Sequence, residues 1–189
     1  MSKVTLGPTT LMYPMPAVLV ASDVNSKPTA MTAAWVGIVN SNPPMLSVGI
    51  RPERYTMIGI DQNKVFSINI PSVAQVEQVD YCGIVSGSKA DKMEACGFNI
   101  FRGETGAPLI EQCPVNLECR MQHRLDLGCH LLVVAEIVQV HVSEECTTDG
   151  KPDAAKIDPL IYVVGQGKTY AGLGETVAKA FSPGRNLMK

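Results

Sequence analysis

VNLECRMQHRLDLGCHLLVVAEIVQVHVS, residues 115–143, is the stretch whose reading decides the fold. Its first eight residues alternate strictly, with Val115, Leu117, Cys119 and Met121 on one face and Asn116, Glu118, Arg120 and Gln122 on the other. Successive side chains of an extended chain point to opposite sides, so a period of two with one apolar face predicts a half-buried antiparallel strand. The turn-like HRLDLG (123–128) follows, then an apolar run whose end alternates Val138, Val140 and Val142 against Gln139, His141 and Ser143. The pair predicts a long hairpin.

Outward from that hairpin the same extended pattern recurs. AVLVAS (17–22), TAMTAAWVGI (29–38), MLSVGI (45–50), KVFSINI (64–70) and LIYVV (160–164) all read as strands. Six or seven strands leave two sheet edges open to pairing unless the sheet closes, which points to a barrel. Helices are few and short. Ser72 and Gln75 have capping-box spacing before VAQVEQV (73–79), KADKMEAC (89–96) stops at Gly97, and GETVAKAFSPG (174–184) ends in Pro183 and Gly184. CTTDGKPDAAKID (146–158) reads as a loop. The fold class is therefore mainly β with short helices. No internal repeat, low-complexity tract or linker divides residues 1–189, and they are read as a single domain.

Composition excludes several functions. Sixteen Lys and Arg against eighteen Asp and Glu give a net charge of −2, which leaves no basic footprint for nucleic acid or an anionic membrane. HLLVVAEIVQV is broken by Glu136 and is far shorter than the roughly 20 residues of a membrane helix. MSKVTLGPTT contains no apolar signal core with a small-residue cleavage site, so the expected location is the cytoplasm. Six cysteines without a Cys-x-x-Cys pair read as small core residues of a reducing compartment rather than metal ligands.

Two segments carry chemistry. The only tryptophan, Trp35, is flanked by Ala33, Ala34 and Gly37, small residues that leave its surroundings underfilled. Just beyond the next strand, Arg51, Arg54, Tyr55 and Thr56 offer guanidinium and hydroxyl donors suited to a phosphate. SGSKADK (86–92) is a second anion-compatible stretch, with Gly87 freeing the backbone, Ser86 and Ser88 supplying hydroxyls, and Lys89 and Lys92 supplying charge. The spacing is not that of a P-loop, so nucleoside triphosphate hydrolysis has no support. His123 and His141, in a turn and on a polar strand face, receive no role.

The order of TAAWVGIVNSNPPMLSVGIRPERYT, FSINIPS, DYCGIVSGSKADK, LGCHLLVVAEIVQV and YAGLGETVAKAFSPG resembles the flavin reductase-like, FMN-binding split-barrel family, and within it the flavoredoxin branch most. The resemblance runs from about Pro14 to Arg185. It implies a homodimeric split β-barrel with noncovalent FMN at the subunit interface. Carried onto these positions, Thr32, Ala33, Ala34 and Trp35 border the flavin ring, while Arg51, Tyr55, Thr56, Ser86 and Lys92 serve the phosphate and ribityl chain. Lys92 has an alternative place beside the ring, where its charge favours the reduced anion.

LGCH is similar to the family's Gly-x-His segment, which makes His130 the candidate catalytic residue. Cys129 stands where nicotinamide-dependent reductases of two-component monooxygenases often have a carboxylate, and Ala135 where glycine is common. The resemblance thus favours an electron-carrying FMN protein of flavoredoxin type served by a redox partner protein. The alternatives are an NAD(P)H-dependent flavin or ferric reductase and a module that only stores or senses FMN. No metal is expected.

Overall fold

The computed structural model describes residues 1–165 and 167–188. In chain order the elements are β1 (Met15–Pro16), β2 (Val18–Val24), β3 (Lys27–Ala33), β4 (Val36–Ser41), β5 (Pro44–Ile50), α1 (Tyr55–Asn63) and β6 (Val65–Ile70). Then come α2 (Val76–Ile84), α3 (Lys92–Ala95), β7 (Ile100–Arg102), β8 (Pro108–Ile110), β9 (Val115–Asp126) and β10 (Leu131–Val142). β11 (Thr147–Thr148), β12 (Lys151–Pro152), α4 (Ala154–Ile157), β13 (Ile161–Val163) and β14 (Thr169–Ala171) complete the order.

The central sheet has seven antiparallel strands in the order β3-β2-β6-β9-β10-β5-β4. β3 and β4 therefore form its two opposite edges, yet only Ala34 and Trp35 separate them in sequence. Three peptide steps span at most about 11 Å, so the sheet has to curl until its edges nearly meet. The result is the expected split β-barrel. The predicted strand 29–38 is in fact two strands broken at Ala34–Trp35, and that break closes the barrel. Beyond Val48, where β4 ceases to pair with β5, an unpaired edge of β3 looks across a seam at Gly49 and Arg51.

The interior is filled by Val20, Met31, Leu46, Val48, Ile50, Phe66, Ile68, Leu131 and Val133, with Met57 and Ile60 of α1 closing one end. The other face of β2 and β3 is covered too. Leu19, Ala21 and Ala30 pack against Val79 and Cys82 of α2 and Met93 beside them. Burying Leu19, Val79 or Met93 contributes about 1.5–3 kcal/mol each relative to exposure. Burial on both faces is why VLVA (18–21) is continuously apolar instead of alternating.

The β9–β10 hairpin stands, with differences. Pairing runs through Leu131↔Asp126, so the expected turn 123–128 shrinks to the four residues between the strands, where Gly128 adopts φ +90°. Irregularities at Val134/Ala135 and Ile137/Gln139 reset the register within β10. Only the Arg120–Gln122 half of the polar face of β9 is left to solvent. Asn116 and Glu118 are buried beneath the β7–β8 hairpin, where Asn116 bonds to Asn69 Oδ1 and Ile110 O, both at 2.8 Å. Glu118 accepts from Glu104 N–H, from the amide and hydroxyl of Thr105, and faces His141 Nε2 at 2.8 Å. His141 thus has a structural partner that the alternation did not reveal.

GETVAKAFS (174–182) is not helical, and Pro183 and Gly184, expected to end a helix, instead open a short 3-10 helix (Pro183–Leu187). Val177 and Phe181 are 98% and 93% exposed, and a helix this short is marginal without a buried face. The predicted helix 89–96 contracts to Lys92–Ala95, its start fixed by Asp91 Oδ1 accepting from Met93 and Glu94 amides. The presumed loop 146–158 contains the β11–β12 pair and α4. Among the described residues no helix is long and apolar enough to cross a membrane.

Candidate functional site

Where β5 leaves the barrel, Arg51–Arg54 turn the chain into α1, with Arg54 N–H donating to Arg51 O at 3.1 Å and Met57 N–H to Arg54 O at 2.9 Å. The N-cap, Arg54, makes no side-chain cap, which leaves the Tyr55 and Thr56 amides at the start of α1 available to an anion. α1 is held tightly. A Cβ at Gly59 would lie 2.3 Å from Asp23 O, so only glycine lets the helix approach the end of β2 this closely.

These donors line a groove of about 400 Å³ formed with Tyr55, Thr56, Ser86, Gly87 and Lys92. Its carboxylate, Glu53, lies 3.7 Å from Arg51 at the exposed rim. An adjoining groove of about 270 Å³ follows the seam along Thr32, Ala33, Ala34, Trp35, Gly49 and His130. The two share Met31, Arg51 and Arg54. Every residue assigned to the site from sequence lines one groove or the other, so that a slot walled by small residues and an indole joins a cluster of phosphate-type donors.

The surroundings of these side chains differ from one to the next. Trp35 is 42% exposed, lies against Gly49, and has its ring centroid 4.5 Å from that of His130 with a 33° tilt. Thr32 has committed its hydroxyl to Val79 O, so what it offers the slot is the backbone of the unpaired β3 edge. Ser86 Oγ sits 2.9 Å from Ser88 Oγ. Lys92 is buried, and its Nζ donates to Ala30 O and Cys82 O, both at 2.8 Å. It is a lysine fastened beneath the groove floor, not a free point charge, and burial lowers its pKa from the ordinary value. His130 is half-buried, with Nδ1 3.2 Å from Cys129 Sγ.

Two residues that the sequence reading placed in the donor segments, but to which it gave no place around the flavin, also belong here. Arg54 donates from Nη1 to Gly83 O at 2.9 Å and lines both grooves. Its place beside Arg51, Tyr55 and Thr56 was the available signal. Gly87 is the other. A Cβ there would meet Thr29 Oγ1 at 2.4 Å and Tyr55 Cδ1 at 2.8 Å, so glycine is what lets this loop close on α1. Thr29 Oγ1, buried against that loop, has no hydrogen-bond partner.

The donor set suits the phosphate of FMN. Two guanidinium groups, the leading helix amides and a serine lie next to a slot walled by small residues and an indole.

Comparison with known proteins gives concordant results. Residues 10–170 match the model of the flavin reductase like domain family. The flavoredoxin from Methanosarcina acetivorans superposes with a TM-score of 0.94 at 38% identity, covering 100% of both chains. Flavoredoxin of Desulfovibrio vulgaris (Miyazaki F) gives 0.90 at 40% identity, over 97% of this chain and 100% of that one. An uncharacterized protein of Archaeoglobus fulgidus is 35% identical over 143 residues, 75% of this chain and 80% of its own.

Proposed function

This chain belongs to the flavin reductase like domain family, and from that premise we propose that it binds one noncovalent FMN per subunit and carries electrons through it. The observation that supports this most is the junction of the two grooves at Met31, Arg51 and Arg54. In this reading Arg51, Arg54 and the leading amides of α1 hold the phosphate, and Ser86 hydrogen-bonds the ribityl chain. Thr32, Ala33 and Ala34 present an edge backbone and little bulk to the ring, and Trp35 packs beside it. Bound FMN supplies a ring that takes up a hydride or single electrons, and the protein sets its orientation and potential. The Lys92 ammonium, fixed below the groove, adds positive potential there without moving.

A homodimer fits the surface. Trp35 at 42%, Ile38 at 68% and Val39 at 52% exposed lie at or beside an apolar groove of about 620 Å³ also walled by His130 and Leu132. A second copy over this face would bury the seam's open side. We read residues 1–189 as one domain, in a cytoplasmic setting that accords with six free cysteines.

His130 against Trp35 favours a second reading, in which NAD(P)H delivers hydride directly. An anaerobic reductive titration separates the two. Bleaching of the protein-bound flavin by a reduced redox protein, with NADH and NADPH ineffective, is the result expected of a carrier. Rapid bleaching by a nicotinamide would replace that reading with a reductase, and failure of the protein to retain FMN would remove both.

A further inference from the structure

Under the groove two thiols face each other. Cys82, fully buried on α2, and Cys96, half-buried just after α3, have their sulfurs 3.9 Å apart. A disulfide needs about 2.05 Å, so closure requires the two sulfurs to approach by about 1.9 Å. Both cysteines are already tied to one residue. Lys92 Nζ donates to Cys82 O at 2.8 Å, and Cys96 N–H donates to Lys92 O at 3.1 Å. The chain between them carries Gly83, Ser86, Gly87 and Lys92, the groove's wall and floor. Among the described residues no cluster of three or more His, Cys, Asp or Glu is placed to hold a metal, so the pair is not a fragment of a metal centre.

We propose that Cys82 and Cys96 form a reversible disulfide, with a peroxide as oxidant, that staples the groove-forming loop. Cys96, the more accessible sulfur, attacks a peroxide oxygen; the O–O bond breaks, leaving a sulfenic acid and water. The Cys82 sulfur then displaces water from that sulfenic sulfur. Two thiols and one hydrogen peroxide become one disulfide and two waters. A dithiol reductant reverses the change through a mixed disulfide and is itself oxidised. Burial raises both thiols, Cys82 to about 12, so the reaction quickens with alkaline pH.

The inference stands apart from the cofactor reading, because thiols are counted whether or not flavin is bound. The test uses the full chain with Cys129→Ser, which removes the exposed thiol, and stepwise hydrogen peroxide. Denatured thiols should fall from five to three, the intact mass should drop by about 2 Da, and a linked Cys82–Cys96 peptide should appear and vanish with dithiothreitol. Adding Cys96→Ser, at a half-buried position that tolerates a hydroxyl, should abolish the pair loss. Retention of five thiols, persistence of the pair loss in the Cys96→Ser protein, or only irreversible oxygen addition at Cys96 would overturn the proposal.

Discussion

The rings of Trp35 and His130 lie 4.5 Å apart, centroid to centroid, although one residue links β3 to β4 and the other opens β10. The pair lies on the seam of the barrel and lines both the seam groove of about 270 Å³ and the apolar groove of about 620 Å³. In the carrier reading the Trp35 ring contributes to FMN binding and His130 does not touch the electron path. Trp35→Ala should weaken FMN by about 2- to 12-fold, the equivalent of roughly 0.5–1.5 kcal/mol of ring contact. His130→Ala should change FMN affinity by less than about threefold, and anaerobic stopped-flow reduction by a protein donor should keep its rate. A collapse of nicotinamide-driven bleaching in the His130 variant would support the reductase instead.

Arg51→Ala should remove a charge-assisted phosphate contact worth about 1.5–3 kcal/mol, or about 10- to 150-fold in FMN affinity. Riboflavin, which has no phosphate, should bind the variant and the wild type alike. Fluorescence titration with both ligands checks this, and an equal loss for both would move Arg51 away from the phosphate.

Gly87→Ala should force the Ser86–Gly87 loop off α1, since its new methyl would lie 2.4 Å from Thr29 Oγ1 and 2.8 Å from Tyr55 Cδ1. Overpacking of this kind costs about 1–3 kcal/mol, read as a lower melting temperature, and FMN affinity should fall with it. Adding Thr29→Ala removes the nearer obstacle and should restore part of both. No recovery would mean that Tyr55 alone sets the spacing.

Glu118 supplies the pH dependence. Burial by itself pushes its carboxyl up, but His141 and the Thr105 and Glu104 donors outweigh that and hold it below the ordinary value. A carboxylate depressed in the folded state stabilises the protein above its unfolded pKa, about 4.3, and loses that contribution as pH falls through the folded value. Glu118→Gln should therefore flatten the acid limb of a stability–pH profile followed by urea unfolding. Glu118→Ala should lose about 1–3 kcal/mol at neutral pH, because it removes the acceptor shared by the Glu104 and Thr105 amides, the Thr105 hydroxyl and His141.

If a second copy covers the Trp35 face, dilution should release flavin in step with dissociation. Analytical ultracentrifugation with absorbance at the flavin band measures both, and a monomer that keeps all its FMN would contradict the shared site.

The β-rich architecture was legible from period-two patterning, and the donor cluster at Arg51–Thr56 from its residue types, because both are properties of neighbouring residues. So was the family, through the order of short motifs. The strand break at Ala34–Trp35 was not legible, since 29–38 reads as one run until the far edges of the sheet are known to meet there. Lys92 looked free in sequence because its partners, Ala30 O and Cys82 O, are backbone atoms of other elements. The same holds for Glu118 and His141, whose polar face looked solvated until the β7–β8 hairpin lay over it. Local patterning was enough to mark the main strands of the central sheet, their apolar faces and the side chains that bring charge. Only the tertiary structure decided which of those charges are already spent on backbone carbonyls and which still face the groove, because hydrogen-bond partners brought together by folding leave no local trace in the chain.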